Sequence, residues 1–167
     1  MRPVLIAIGA ILLLGAASAR AEEAAGCSTF KWSIAREQAA LSAAGLPSIG
    51  SGQALPAMGA SVALQPQAAI TFVKPPARKP KVDPAYAAVL SLPPITAAGT
   101  YEITLSDEAW IDVVQNGTDI KSSGFSGQPN CPGIRKSVKF ALQPGPATVQ
   151  ISGASSQTIK VEMLAAE

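Results

Sequence analysis

The chain has 167 residues, 13 of them basic, 11 acidic and none histidine. A chain without imidazole has no Ser-His-Asp triad, no Cys-His nucleophile pair, no common zinc site and no facial triad for non-haem iron. There is also no Gly-rich phosphate loop and no interleaving of aromatic and basic residues, so nucleotide and nucleic acid are not expected as partners.

The N-terminus reads as a signal peptide spanning residues 1–21. Arg2 supplies the positive start, residues 4–14 are apolar, and Ala19-Arg20-Ala21 has the small residues that signal peptidase requires. The apolar run is shorter than the roughly 20 residues of a membrane-spanning helix, so no stable membrane anchor is expected after cleavage. Ala25-Gly26-Cys27 resembles the end of a lipobox, but Arg20, Glu22 and Glu23 separate it from the apolar run. Cleavage after Ala21 removes Arg2 and Arg20, which takes the 13 basic residues to 11 and equals the 11 acidic ones. A mature chain of zero net charge gives no electrostatic reason to bind nucleic acid or anionic membrane.

Residues 22–167 are expected to form a single domain. Cys27 and Cys131 are the two cysteines, and an isolated pair in an oxidising compartment is most simply a disulfide, the alternative being two free thiols. A short helix is expected over about 33–44, capped by Ser33 and stopped by Gly45 and Pro47, with Phe30, Trp32, Ile34 and Leu41 turned inward. In this reading the helix covers the open end of a sheet. A connection rich in Pro and Ala follows over about 45–84. Only residues 68–73, around AAITFV, have strand composition there. The basic, proline-rich run KPPARKPKVDP reads as a solvated, extended link.

The main strands are expected within 86–164, at 86–92, 100–105, 110–115, 137–142, 148–152 and 158–164. Tyr101, Ile103 and Leu105 alternate onto one face, as do Val138, Phe140 and Leu142. Asn116-Gly117 is a two-residue hairpin signal of type I′. Short strands with frequent turn signals predict a mainly β fold, an antiparallel β-sandwich or jelly-roll-like domain of seven or eight strands with one N-terminal helix.

AGTYEITLSDEAWIDVVQNG and SVKFALQPGPATVQISG resemble the jelly-roll pre-peptidase C-terminal domains of secreted bacterial proteins. Through CSTFKWSIAREQAAL, SDEAWIDVVQNG and CPGIRKSVKF, the mature chain also resembles a group of small exported bacterial proteins. Some of these carry the name homogentisate 1,2-dioxygenase. That name implies iron held by histidines and a carboxylate, and this chain has no histidine.

The candidate surface residues are Trp110, Asp112, Arg135, Lys136 and Lys139. Alternation puts Asp112 on one face with Trp110 and Val114, and Ile111 and Val113 on the other. An inward Asp112 would need Arg135 or Lys136 as partner, and an outward one would form an exposed aromatic–acidic feature with Trp110. Asp107-Glu108 reads as a turn bonded to its own backbone. Arg135, Lys136 and Lys139 read as a solvated strand edge, with Lys139 facing water. No catalytic residues, metal ligands or cofactor are expected. The sequence predicts a periplasmic or secreted non-catalytic binding, interaction or structural accessory domain, with an envelope protein or glycan as partner. The alternative is an atypical enzyme, as the dioxygenase name implies.

Overall fold

The computed structural model describes residues 26–167. The expected signal peptide and its cleavage site lie outside the described residues.

Two β-sheets pack face to face over one apolar core. The six-stranded sheet has the order β1(Ser48–Gly50), β2(Ala60–Ala63), β11(Thr158–Ala165), β5(Gly99–Leu105), β9(Lys136–Leu142), β8(Ser122–Gly127). The five-stranded sheet runs β3(Gln65–Pro66), β4(Tyr86–Ser91), β10(Ala147–Ala154), β6(Trp110–Gln115), β7(Thr118–Ile120). All pairings are antiparallel except β1 with β2. The interleaved orders β2-β11-β5-β9 and β4-β10-β6-β7 are those of an eight-strand jelly roll, with β1, β3 and β8 added at its edges.

The register explains the core. Met163, Ile103, Val138 and Phe125 form one cross-strand row, and Leu90, Val149 and Val113 another. β-branched and aromatic side chains at alternate positions pack well on a pleated surface, and burying each one fully contributes about 1.5–3 kcal/mol. The expected face of Ile103 and Leu105 is fully buried, as is that of Phe140 and Leu142, with Val138 nearly so. Asn116 and Gly117 have φ of 52° and 70°, the left-handed pair that a type I′ turn between β6 and β7 demands.

Several expectations need correction. Residues 68–73 are not a strand: a short 3-10 turn, Gln67–Ala69, follows Pro66, and the chain then runs irregularly. Its backbone groups find a side chain instead of a ladder, since Val73 N and Lys74 N donate to Gln150 Oε1 at 2.7 and 3.1 Å. β2 and β8 carry too few β-branched residues to stand out in the sequence. The helix α1(Ala35–Ser42) starts after Ile34, which stands at the cap position in place of Ser33, and Ser33 Oγ accepts a 3.4 Å bond from Ala35 N. It covers the outer face of the six-stranded sheet, beside β11, and not an open sheet end. There Lys160 Nζ donates to Leu41 O at 2.8 Å. Phe30, Ile34 and Leu41 are buried as expected, together with Cys27, Cys131 and Ile134, while Trp32 is half-buried. Cys27 and Cys131 form a disulfide, which fastens this segment to the β8–β9 connection.

Candidate functional site, a cleft at one edge of the sandwich

β7 pairs only with Val113–Gln115, so the Trp110–Asp112 half of β6 has no neighbour on that side. Beyond Ile120 the chain crosses through Lys121 to β8 on the other sheet. The two sheets therefore part at this edge, leaving a cleft of about 780 Å³. Ile111, Ile120, Val138 and Phe140 line it with apolar surface, and Arg78, Glu108, Asp112, Asp119, Lys121 and Lys136 supply charge. Phe125, half exposed, stands at its mouth.

The Trp110–Asp112 face looks away from the core, because Ile111 and Val113 occupy the inside. Trp110 Nε1 donates to Asp112 Oδ1 at 2.8 Å, and Ala77 N donates to Asp112 Oδ2 at 3.2 Å. The Arg78 guanidinium lies 4.5 Å from the Trp110 ring centroid, a cation–π contact that covers one aromatic face. The proline-rich segment is thus pinned to the five-stranded sheet at Ala77 and Arg78, while residues 77–84 stay exposed to water, as expected of a solvated link. Gln150 adds to this by donating to Lys74 O at 3.0 Å.

Lys136 is buried at the end of β9, where it faces the core side of its sheet. Its ammonium donates to Ala109 O, lies 3.3 Å from Glu108 Oε1 and is 5.8 Å from the rings of both Trp110 and Phe125. Burial pushes its pKa down, and the Glu108 carboxylate partly restores it. Glu108 also holds Arg135 at 2.6 Å. It is this ion pair, and not a bond to its own backbone, that fixes Glu108. Asp107 instead accepts from Ser106 Oγ at 2.6 Å.

Of the candidate residues, Trp110, Asp112 and Lys136 meet in the cleft, and Arg135 joins them through Glu108. Lys139 does not. It lies on the opposite face of β9, where its ammonium is 3.2 Å from Glu102 Oε1 and 4.2 Å from the Trp32 ring centroid. It is half-buried there, contrary to the expected solvent exposure. Nor is β9 an edge, since β8 lies between it and solvent. Arg78, Glu108 and Phe125 were not candidates. Phe125 had one signal, as the lone aromatic residue in the run SSGFSG.

A second polar cluster lies under the N-terminal segment. Glu37 from α1, Glu102 and Thr104 from β5 and Glu162 from β11 are all nearly inaccessible to water. The Glu37 carboxylate lies 3.7 Å from the Arg36 guanidinium and the Thr104 hydroxyl partly offsets the burial of Glu162, but none of these oxygens makes a close hydrogen bond among the described residues. Burial, reinforced by the neighbouring Glu37 charge, pushes Glu162 up to about 8. Burial also raises the pKa of Glu37. Among the described residues, no group of three or more His, Cys, Asp or Glu is arranged to hold a metal ion. Comparison with family models, curated proteins and solved structures finds no match to this chain.

Proposed function

We propose that this protein is exported, loses residues 1–21, and acts in the periplasm or outside the cell as a non-catalytic binding module whose ligand site is the edge cleft. The observation that carries the reading is the cleft's make-up: an apolar floor continuous with the core, a half-exposed Phe125 at its mouth, and a rim of charges. Ligand sites in general combine apolar concavity with a few placed polar groups. Glu108, Asp112 and Lys136 are each held by partners within the protein, which suits shaping a surface better than moving a proton. The disulfide favours an oxidising compartment. Among the described residues, no helix is long and apolar enough to cross a membrane.

Two measurements test the reading. Intact mass of protein recovered from outside the cytoplasm is expected to correspond to a chain starting at Glu22. A lipidated N-terminus at Cys27, or an uncut chain, would overturn the export scheme. For the site, Trp32→Phe isolates Trp110 emission, which is then followed during titration with extended peptides and with peptidoglycan fragments. A saturable change abolished by Phe125→Ala is expected, and no response to either class would sink the cleft as a ligand site.

A further inference from the structure

A two-sheet sandwich has four lateral edges, and in this protein three are closed to further pairing. β1 is three residues long, and the Gly50 N–H is already taken by Gln53 Oε1 at 2.6 Å. β3 is two residues long and ends in Pro66, which has no N–H to give. β7 is three residues long with the charged Asp119 at its centre.

The fourth edge is longer and free of these blocks, although the N-terminal segment lies on its outer face, where Lys31 N donates to Ser126 Oγ at 3.0 Å. β8 has six residues, Ser122–Gly127, with no charge and no proline. It pairs with β9 on one side only. Its outward backbone groups find no partner elsewhere among the described residues. A register shift between Ser122 and Gly124 bends its first part and leaves Gly124–Gly127 regular. Its one large side chain, Phe125, is 50% exposed and opens onto the cleft.

The geometry points to strand addition: an extended segment of a partner protein pairs with β8 and lowers alternate side chains into the cleft. The inference rests on reading the cleft as a binding site, and it names the class of ligand. Side chains on an added strand alternate, so one set continues the inward row formed by Phe125, Val138, Ile103 and Met163 and is apolar. Lys121, at the start of β8, and Arg78 both line the cleft, and neither has a carboxylate partner among the described residues. Lys121 precedes Ser122, while Arg78 lies by Trp110 and Lys136, opposite Gly127, so together they ask for an acidic residue at each end of the incoming segment. A second copy of β8 offers only Ser, Gly and Phe, so it satisfies the backbone but not these cations.

The probe is a capped octapeptide in which valine alternates with threonine between terminal glutamates. Bound peptide is expected to slow amide exchange at Gly124–Gly127 by about tenfold or more at saturation. Methylating alternate backbone nitrogens of the peptide, or making Phe125→Ala or Phe125→Lys, is expected to weaken binding about tenfold. Replacing the glutamates by glutamine weakens it less and reduces its salt dependence. Unchanged exchange at β8, or equal affinity for the methylated peptide, overturns strand addition. If Trp110 emission still responds in that case, the cleft remains a ligand site; silence there removes both readings. Sedimentation showing self-association, with β8 protected in the absence of peptide, makes a second copy the occupant and also overturns the proposal.

Discussion

Both outer faces of the sandwich are polar, and each is covered by a segment that belongs to neither sheet, yet the two covers are held by different physics. Over the five-stranded sheet, the segment around residues 73–78 is matched group for group. Gln150 bonds the N–H of Val73, the N–H of Lys74 and the C=O of Lys74, and Asp112 receives the N–H of Ala77. Over the six-stranded sheet, α1 and its approach bury Glu37 and Glu162 with no close hydrogen bond to either carboxylate. That cover is held by a disulfide and a small apolar cluster of Phe30, Ile34, Leu41 and Ile134. Peripheral hydrogen bonds add to it, such as Lys31 N to Ser126 Oγ and Lys160 Nζ to Leu41 O, but none reaches the two buried carboxylates. A polar sheet face can thus be covered by complementary bonding, or by a clamp strong enough to tolerate mismatched charge. Only the second solution leaves a strong pH dependence behind.

The largest expected effect comes from removing the clamp. Cys27→Ala with Cys131→Ala should lower stability by about 2–5 kcal/mol in urea titration. Amide exchange should rise across the N-terminal segment and α1 while the segment over Gln150 keeps its protection. Equal loosening of both would show that the two covers are not independent.

Next in size is the pH response. The Glu162 pKa is raised to about 8 in the fold, from an ordinary value of 4.5, so the folded chain holds a proton that the unfolded chain releases between these values. Stability is therefore greatest below the unfolded pKa, falls as pH rises, and levels off above about 8. Glu37, raised for the same reason, acts in the same direction. The fall is expected to be on the order of a few kcal/mol, read from urea midpoints at mildly acidic and mildly alkaline pH. Glu162→Gln should flatten the curve and stabilise the protein at the alkaline end. An undiminished slope in Glu162→Gln would move its origin elsewhere, since Glu37 accounts for only a remainder.

Smaller effects belong to the matched cover. Gln150→Leu strands two N–H groups and a carbonyl, and should cost about 1–3 kcal/mol with faster exchange at Val73 and Lys74. Asp112→Asn keeps one acceptor oxygen and replaces the other with a donor, so it should cost about 0.5–1.5 kcal/mol. It should also alter Trp110 emission, because one of Trp110 Nε1 and Ala77 N loses its acceptor. If neither substitution changes exchange in the segment, the bonds are incidental to its placement.

The cleft was only half legible. Trp110, Asp112 and Lys136 were candidates on residue type and alternation, and they do meet. Their grouping was not, because it depends on where β7 stops and on how the chain crosses at Lys121. Arg78 lies more than thirty residues before Trp110 in a run that reads as a solvated link. Lys139 misled because alternation shows that a side chain leaves the core, not that it reaches water. Trp32 covers that face.

Local signals were sufficient wherever short-range sterics and alternation dominate. The six strands expected between residues 86 and 164, the inward faces of β5 and β9, and the Asn116-Gly117 hairpin follow from residue type and period, since the pleat sends every second side chain to one side. The absence of imidazole chemistry follows from composition alone. Tertiary structure decided the rest. Which polar faces are buried depends on long-range covering: Glu102, Glu162 and Gln150 sit at positions that alternation assigns to solvent, and segments far away in the chain lie over them. Strand order decided likewise that β8 is the unguarded edge, because edge status is a property of neighbours and no residue carries it by itself.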